Sequence, residues 1–160
     1  MTAKPAETKA LKLRHVGPEL HALCGEATLL AARTPRYRAF PIGYVETRFM
    51  VPLMLDQFRV YRGEGGRTLA FITWAFLSDE LDAAMMKGEP RIKPEDWCSG
   101  PHLWFMDALS PYPGFEGQWI EDLRKNVFPD KVAKAHRVSE DGKKFTVERY
   151  RGINAPRVTA

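Results

Sequence analysis

The sequence has few of the features that mark special classes of protein. It contains two cysteines, Cys24 and Cys98, too few for a disulfide framework, and this fits a reducing cytoplasm. No run approaches the roughly 18 apolar residues that a membrane helix needs. The N-terminal residues include Pro5, Glu7 and Lys9 and do not resemble a cleaved secretory signal. We therefore expect a cytoplasmic protein without a membrane span.

What the sequence does contain is the composition of one ordinary folded domain. Its 160 residues are 44% hydrophobic and 28% charged, so the chain can bury a core without disulfides or metals. This balance excludes a collagen-like, low-complexity or largely disordered chain. The formal net charge of +4 is compatible with an acidic partner but does not require one.

The pattern along the chain predicts a single domain with two loose ends. Residues 1–17 contain lysine and arginine, show no apolar period, and are expected to form a flexible tail. Residues 18–152 carry the helical and strand-like patterns and are expected to form the domain, whereas 153–160 are expected to be loose. We find no internal repeat and no second domain.

Helical patterns occur in four places. The first begins at Pro18, a residue that suits the first turn of a helix, and its apolar residues recur at helical spacing. A second helix is predicted over the next apolar segment, with Ile42 on its buried face and Pro52 kinking or ending it. A third is predicted after Ser78, a suitable N-cap, and a fourth over 116–127.

Strand-like runs alternate with these helices. They cover residues 58–62, 68–77, 103–109, 135–138 and 144–151. The glycine-rich segment 63–66 joins the first two runs as a hairpin, and the apolar run 69–77 predicts a strand covered on both faces. The whole pattern predicts an α/β (α+β) fold, a mixed sheet with helices packed on it.

Asp107 is the most unusual residue of the apolar strand from Leu103 to Leu109. A carboxylate in such surroundings is costly to bury unless it is paired with a cation or protonated. A carboxylate placed in this way is a candidate base for catalysis. The alternative is a structural role, in which Asp107 lies at the end of the strand and accepts hydrogen bonds from backbone N–H groups, and the spacing leaves both open.

The patterns of metal sites and of common nucleophiles are absent from the sequence. Neither cysteine has a CxxC partner, and we therefore expect no metal site. The glycines at 63–66 lack the Lys-Ser/Thr of a phosphate-binding loop. Four histidines are scattered without metal-ligand spacing: His15, His21, His102 and His136.

Many of the basic residues occur in two clusters along the sequence. One contains Arg33, Arg36 and Arg38, and the other contains Arg124 and Lys125, followed by further lysines. Such clusters can bind nucleic acid, or they can bind an acidic protein or a phosphate-bearing carrier arm. Each residue can also simply lie on a solvated helix face.

A set of motifs in fixed order connects these features. The most specific part is Asp96-Trp97-Cys98-Ser99-Gly100, followed shortly by Trp104-Phe105-Met106-Asp107. Other parts are Thr34-Pro35-Arg36-Tyr37-Arg38, Phe40-Pro41, Pro52, Gln57-Phe58, Thr73 to Ser78, and Leu123-Arg124-Lys125 with Phe128-Pro129. With these motifs the sequence resembles the RTX toxin-activating (hemolysin-activating) lysine acyltransferases over roughly Leu20 to Val147.

The resemblance implies a fold and a reaction. The fold is GNAT-like, a mixed, mostly antiparallel sheet flanked by helices in a single domain. The reaction moves a fatty acyl group from acyl carrier protein to a lysine ε-amine of a toxin or peptide. The co-substrate is thus a phosphopantetheine-linked acyl group rather than a bound cofactor, and family members are cytoplasmic, with dimers known.

The resemblance also implies site residues, with one departure. The essential aspartate of the family corresponds to Asp107, whereas the essential histidine position holds Tyr37. The implied catalytic residues are Asp107, Tyr37, Arg38 and Thr34, and the implied substrate- or carrier-binding residues are Arg36, Trp74, Ser99, Gly100, Trp104, Arg124 and Lys125. A phenol with a pKa near 10 replaces a near-neutral imidazole, so the proton-transfer roles must be rearranged.

The rearranged chemistry can be stated from the residues that remain. Amide formation needs a neutral amine, a donor to the oxyanion and a proton for the leaving thiolate. We expect Asp107 to act as the base, Tyr37 to donate to the oxyanion or the thiolate, and Arg38 to steady the negative charge. Three readings stay open: a working acyltransferase, an acyltransferase-like binding protein without turnover, and a basic module that binds nucleic acid.

Overall fold

The computed structural model describes residues 18–88 and 91–157, so the predicted tail 1–17 lies outside the described residues. The chain forms one mixed α/β domain around a five-stranded sheet with the strand order β1-β2-β3-β4-β5. The strands are β1 (Phe58–Arg62), β2 (Thr68–Leu77), β3 (His102–Leu109), β4 (Val132–Val138) and β5 (Phe145–Arg151). The α-helices are α1 (Pro18–Arg33), α2 (Val51–Met54), α3 (Asp79–Met86) and α4 (Glu116–Asp122).

The sheet is mostly antiparallel, as the resemblance predicts. Strands β1 and β2, β2 and β3, and β4 and β5 pair antiparallel. Strands β3 and β4 pair parallel and only at two positions, Trp104 with Lys134 and Phe105 with Ala135. Beyond Phe105 and Ala135 the two strands no longer pair, and the sheet opens there.

Helix α1 follows its sequence pattern. It starts at Pro18 and ends at Arg33, and it buries Cys24, Ala27 and Leu30 in a cluster with Phe71 of β2. Those residues recur every three or four positions, so they form one stripe along the helix. The helix thereby covers the sheet close to the ends of β2 and β3.

The second helical segment differs from its prediction. The prediction that Ile42 is buried is wrong, because Ile42 lies in the turn before the helical segment and is 81% exposed. A π-helical turn spans Val45–Met50 and runs directly into α2, which contains the buried Pro52. The wider turn precedes the proline, which cannot donate to an i−4 carbonyl, and the segment continues past it to Met54.

Strand β2 and the helix after it agree with the sequence pattern. Residues from Ala70 to Ala75 are buried without alternation, because helices pack on both faces of this strand. Ser78 caps α3, its hydroxyl oxygen accepting a hydrogen bond from the backbone N–H of Leu81 at 3.3 Å. The predicted helix over 116–127 is α4 continued by a π-helical turn over Leu123–Val127.

Strand β3 contains the irregularity that matters for the site. Trp74 pairs with Phe105 and Thr73 pairs with Asp107, so Met106 is an extra residue in β3. Such a bulge bends a strand and turns the following side chain in a new direction. The bulge lies where β3 and β4 separate, and Asp107 directly follows it.

The end of the described chain contacts the rest of the fold. The backbone N–H groups of Ile153 and Asn154 donate to the carbonyl oxygens of Arg124 and Pro129 at 3.1 and 2.8 Å. Ala155 is buried, and its carbonyl oxygen accepts a hydrogen bond from Arg151. Ile153 thus contacts the π-helical turn after α4, Asn154 contacts the segment after this turn and Ala155 contacts the end of β5. Residues 158–160 lie outside the described part.

Candidate active site

A cleft of about 710 Å³ opens where β3 and β4 separate. One wall comes from the turn after α1 and from the π-helical turn, and another from the ends of β3 and β4. The loop after β3, residues 110–114, and helix α4 complete it. The cleft therefore gathers side chains from segments that lie far apart in the sequence.

Asp107 lies in the wall of this cleft and is almost fully buried, with 3% of its surface exposed. Its Oδ2 accepts a hydrogen bond from Arg48 Nε at 3.0 Å, which also forms an ion pair. Its Oδ1 accepts only a long contact of 3.5 Å from the Tyr44 hydroxyl. Its backbone N–H donates to Thr73 Oγ1 at 3.2 Å. Asp107 is thus a paired carboxylate with one oxygen largely uncommitted.

Arg48 holds both the carboxylate and the bulge. Its Nη2 donates to the carbonyl oxygen of Met106 at 3.1 Å, and its guanidinium lies between the rings of Tyr44 and Trp97, at 5.4 and 5.8 Å from their centroids. Burial by itself would lower the pKa of Arg48, but the charge of Asp107, the neighbouring Tyr44 and the hydrogen bond to Asp107 together outweigh this and raise it. Arg48 therefore stays positively charged beside Asp107.

Tyr37 lies in the same cleft and is buried, with 7% of its surface exposed. Burial, and then the charge of Asp107, raise the pKa of Tyr37 well above its ordinary value. Among residues 18–88 and 91–157, no group hydrogen-bonds to its hydroxyl. Tyr37 is therefore a neutral phenol that can donate a hydrogen bond to a bound group and cannot act as a base near neutral pH.

Tyr44 is the second phenol of this arrangement. Burial, followed by the charge of Asp107, raises the pKa of Tyr44 to about 12. The neutral hydroxyl faces Asp107 Oδ1, so a group that binds this oxygen more closely would take the place of the long 3.5 Å contact.

Other predicted residues near Tyr37 are divided between two sides. Arg36 lines the cleft with Tyr37. Arg38 lies instead in a second, smaller groove on the other side of Tyr37. The hydroxyl of Thr34 donates to the carbonyl oxygen of Leu30 at 2.8 Å and so finishes α1. The structure thus brings Arg36, Tyr37 and Asp107 together in the cleft, and leaves Arg38 and Thr34 outside it.

The predicted tryptophans lie in the core rather than in the cleft. Trp74 packs edge-on against Phe128 with 5.0 Å between ring centroids. Trp104 is fully buried, and its indole N–H donates to Asp82 Oδ1 at 2.7 Å. Both side chains connect the sheet to its helices.

Ser99 and Gly100 form part of a turn that packs against the end of β2. Ser99 Oγ accepts from the backbone N–H of Ser78 at 3.0 Å and donates to the carbonyl oxygen of Asp96 at 2.7 Å. A Cβ at Gly100 would lie 2.5 Å from the Cα of Ser78, so only glycine fits this close approach. The motif joins this loop to the start of α3 and does not line the cleft.

The second basic cluster is also away from the cleft. Arg124 Nε donates to the carbonyl oxygen of Arg151 at 2.6 Å, which ties the turn after α4 to the end of β5. Lys125 is exposed and pairs with Glu121 one helical turn earlier. Arg124 is therefore occupied within the fold, and Lys125 lies at the surface.

The far wall of the cleft carries an ion-pair network. Arg137 pairs with Glu116 at 3.1 Å and with Glu148 at 2.6 Å, and the Tyr150 hydroxyl donates to Glu148 at 2.6 Å. His136 also lines the cleft, and its Nε2 donates to the carbonyl oxygen of Met85 at 2.6 Å. These groups satisfy one another, whereas Asp107 Oδ1 is uncommitted.

The sequence reasoning missed Arg48 and Tyr44. It was recognisable that a buried carboxylate needs a cation. The sequence did not show which cation, because residues 18–54 alone contain four arginines: Arg33, Arg36, Arg38 and Arg48. One signal was available: Arg48 directly precedes the buried Phe49 and lies four residues after Tyr44, so both polar residues belong to one side of a helix that packs on the sheet.

Within residues 18–88 and 91–157, no group of three or more His, Cys, Asp or Glu side chains is arranged to hold a metal ion. None of the helices described here is both long enough and apolar enough to cross a lipid bilayer.

Comparison with known proteins agrees with the motifs. Residues 18–151 match the model of the RTX toxin acyltransferase family. The chain is 26% identical over 123 residues to the uncharacterized protein sll0720 of Synechocystis sp., covering 76% of this chain and 83% of that protein. It is 30% identical over 110 residues to the lysine-acyltransferase RtxC of Vibrio cholerae, covering 69% and 71%. It is 28% identical over 116 residues to the protein-lysine myristoyltransferase HlyC of Escherichia coli, covering 72% and 66%.

Proposed function

The chain belongs to the RTX toxin acyltransferase family, and from this premise we propose that it is a protein- or peptide-lysine N-acyltransferase. The donor in this proposal is a fatty acyl group carried as a thioester on acyl carrier protein. The observation that carries the proposal is Asp107, which has one oxygen uncommitted and lies in the same cleft as the unpartnered hydroxyl of Tyr37.

The first task of the site is to receive the lysine amine in its neutral form. A free lysine has a pKa near 10.4, and a nearby positive charge or removal from water lowers such a pKa. The wall of the cleft supplies the burial, and Arg48 offsets the Asp107 carboxylate, whose charge by itself would favour the ammonium form. Asp107 Oδ1 then accepts a hydrogen bond from the amine and orients its lone pair toward the donor.

The second task is to support the change in charge as the amide forms. The amine nitrogen attacks the thioester carbonyl carbon, and the carbonyl oxygen becomes an oxyanion. The neutral phenol of Tyr37 donates a hydrogen bond to that oxyanion, an interaction that grows as the charge develops. From the sequence we expected Arg38 to steady the negative charge of the oxyanion. Arg36 lines the cleft and Arg38 does not, so we assign this role to Arg36.

The last task is to balance the protons. Collapse of the tetrahedral intermediate breaks the carbon–sulfur bond and releases the carrier as a thiolate. Asp107 takes the proton that the amine nitrogen loses and passes it to the thiolate, so the products are the amide and the free carrier thiol, and Asp107 is again ionised. No metal or bound cofactor takes part in this scheme.

The carrier arm has a natural entry where β3 and β4 cease to pair. The basic residues beside this opening include Arg36, and the net charge of the chain is +4. An acidic carrier protein would therefore be attracted to this face. Homodimer formation and a cytoplasmic location remain predictions from the resemblance.

One observation favours a second candidate function. The family's essential histidine position holds Tyr37, whose raised pKa prevents it from acting as a base. A protein with this change could bind an acyl carrier or a peptide without turnover. The two candidates differ in whether a covalent product forms.

Intact-mass analysis tests the proposal. The protein would be incubated with a lysine-containing acceptor and either acyl carrier protein or coenzyme A bearing the same acyl group. We expect an acceptor mass increase equal to one acyl group with the carrier donor. Binding of the carrier without any mass change would favour the non-catalytic candidate, and transfer from coenzyme A alone would contradict the proposed donor.

A further inference from the structure

A second cavity of about 170 Å³ lies on the other side of Tyr37 from the cleft. We call it the apolar groove, and its walls are formed mainly by Ala31, Ala32, Phe40, Ile42, Val45 and Phe49. Among the described residues that line it, Arg38 alone carries a formal charge. The apolar groove is thus suited to an aliphatic ligand rather than to a charged one.

The apolar groove is next to the proposed reaction centre. Tyr37 and Tyr44 line both the groove and the cleft. Phe40 packs between them, with its ring centroid 5.2 Å from that of Tyr37 and 4.5 Å from that of Tyr44. Tyr37, Phe40 and Tyr44 thus form the partition between the cleft and the groove, and a chain attached to a carbonyl beside Tyr37 would have to pass the edges of these rings to enter the groove.

The rim of the apolar groove exposes side chains that water does not favour. Ile42 is 81% exposed and Phe40 is 39% exposed, and both lie on the turn that joins α1 to the π-helical turn. Single exposed apolar residues are ordinary, but two at the rim of an apolar cavity extend its apolar surface beyond the cavity itself. The cleft itself, by contrast, carries Arg36, Arg48 and Asp107 close to the reaction centre.

We propose that the apolar groove binds part of the hydrocarbon chain of the acyl donor and so determines which chain lengths are transferred. This inference rests on the proposed acyl transfer. The relative from Escherichia coli is named a myristoyltransferase, and a chain of that kind needs an apolar site within reach of the reacting carbonyl. The apolar groove meets that need, and its rim continues along Phe40 and Ile42.

The size of the apolar groove limits how much of the chain it holds. A cavity of roughly 150 Å³ accommodates a benzene molecule, so the 170 Å³ groove has room for about six carbon atoms. Each buried methylene changes affinity by about fourfold. Donors whose chains fill the groove should therefore bind much more tightly than acetyl donors, and the remaining methylenes of longer chains would lie against the rim.

The test fills the apolar groove without changing the reaction centre. Ala32→Trp places a ring in the groove from an exposed position of α1, and Ala22→Trp is the matched control on the same helix outside the groove. A third variant, Ile42→Asn, removes the apolar rim at an exposed site. Each variant is assayed by single-turnover transfer from donors ranging from acetyl to palmitoyl, and by binding of the fluorescent fatty acid cis-parinaric acid.

We expect Ala32→Trp to lower transfer of long chains by about tenfold or more while acetyl transfer stays within twofold, and Ile42→Asn to have a smaller effect in the same direction. Ala22→Trp should match the wild type. An unchanged chain-length profile in Ala32→Trp would overturn the inference. So would a raised KM for the acceptor with the profile unchanged, because the acceptor would then occupy the groove.

The binding measurement separates this inference from the proposed function. If the wild type transfers no acyl group from any donor, the proposed function fails, and parinaric acid binding then decides about the groove. Weaker binding in Ala32→Trp than in Ala22→Trp would support an aliphatic site. Equal binding in all variants would overturn it.

Discussion

Asp82 and Asp107 are both held by a basic side chain beside the central sheet, but their surroundings leave them different capacities. Both oxygens of Asp82 accept hydrogen bonds from Lys134, at 2.6 and 2.7 Å, and Oδ1 also accepts from the Trp104 indole at 2.7 Å. Asp107 receives one short hydrogen bond, from Arg48 to Oδ2. In the described part of the chain, the one hydrogen-bond contact of Asp107 Oδ1 comes from the Tyr44 hydroxyl, at 3.5 Å.

The difference shows how the fold separates a structural carboxylate from one that can serve chemistry. Both carboxylate oxygens of Asp82 are occupied by hydrogen bonds from Lys134 and Trp104, and these bonds connect α3 to β3 and β4. Asp107 lies in the wall of a cleft, and its pairing with Arg48 through Oδ2 leaves Oδ1 able to accept a substrate hydrogen. A buried carboxylate is thus a candidate for function when its hydrogen-bonding capacity is left incomplete by its own protein.

The sharpest contrast is expected from Asp107→Asn. Asparagine preserves the shape but removes the charge and the proton acceptor, so we predict a loss of acyl transfer of about a thousandfold. Circular dichroism and the unfolding transition should show that the variant is still folded. Transfer at the wild-type rate by a folded Asp107→Asn would make Asp107 a structural residue like Asp82.

The contribution of Tyr37 is predicted to be somewhat smaller. Tyr37→Phe removes the hydroxyl and keeps the ring, so packing against Phe40 is retained. Loss of one donor to an oxyanion typically lowers kcat by about a hundredfold, and KM should change little because the hydrogen bond strengthens only in the transition state. Steady-state kinetics check this, and a variant that raises KM at an unchanged kcat would show that Tyr37 only binds substrate.

Arg48→Lys tests whether position as well as charge matters. Lysine keeps a positive charge beside Asp107 but cannot contact both the carboxylate and the carbonyl oxygen of Met106 as Arg48 does. We predict a decrease in kcat of about tenfold, because a small displacement of the carboxylate lowers the rate of an oriented reaction. Equal kcat in the wild type and in Arg48→Lys would show that the charge alone is sufficient.

The smallest effect on transfer is predicted for Asp82→Asn. The transfer rate should stay within about twofold, whereas the free energy of unfolding should fall by about 1–3 kcal/mol, because the Lys134 ammonium loses its charged partner. Urea unfolding and single-turnover assays measure the two quantities. A rate loss comparable to that of Asp107→Asn would remove the contrast between the two aspartates.

This stability difference should also depend on pH. Burial alone would raise the pKa of Asp82, but the hydrogen bonds from Lys134 and Trp104 lower it below the ordinary value of 3.8. A lowered pKa in the folded state gives stability that is present above pH 3.8 and lost as the pH falls further. The difference between the wild type and Asp82→Asn should therefore shrink below pH 3.8, and a difference that stays constant there would contradict the ion-pair account.

Much of the fold was predictable because its signals are local. The hairpin at 63–66, the Ser78 cap and the doubly covered β2 each depend on a few neighbouring residues. The prediction for Ile42 was wrong because it also relied on local spacing alone. The apolar spacing was taken to continue across Ile42, which in fact lies in a turn. The contacts of Ile153 and Asn154 were missed because they depend on long-range backbone partners.

The site was predictable only in part. Asp107 is visible as a charge within an apolar strand, and Tyr37 is visible from the family motif. Their shared cleft depends on the bulge at Met106 and on the loss of pairing after Phe105, which no local pattern reveals. The same motif also contains Thr34 and Arg38, whose side chains lie outside the cleft, so motif membership alone does not identify the residues that meet substrate.

The most direct measurement of the central claim is covalent capture of the carrier arm in the cleft. In a Cys98→Ser background, Ala108→Cys places a thiol in the cleft next to Asp107 without altering the Asp107–Arg48 pair, and Ala83→Cys places one on the exposed surface of α3. Each protein would be mixed with acyl carrier protein bearing a bromoacetyl thioester and analysed by intact mass. The account predicts a carrier adduct with Ala108→Cys and none with Ala83→Cys, whereas no adduct at Ala108→Cys, or equal adducts at both sites, would contradict it.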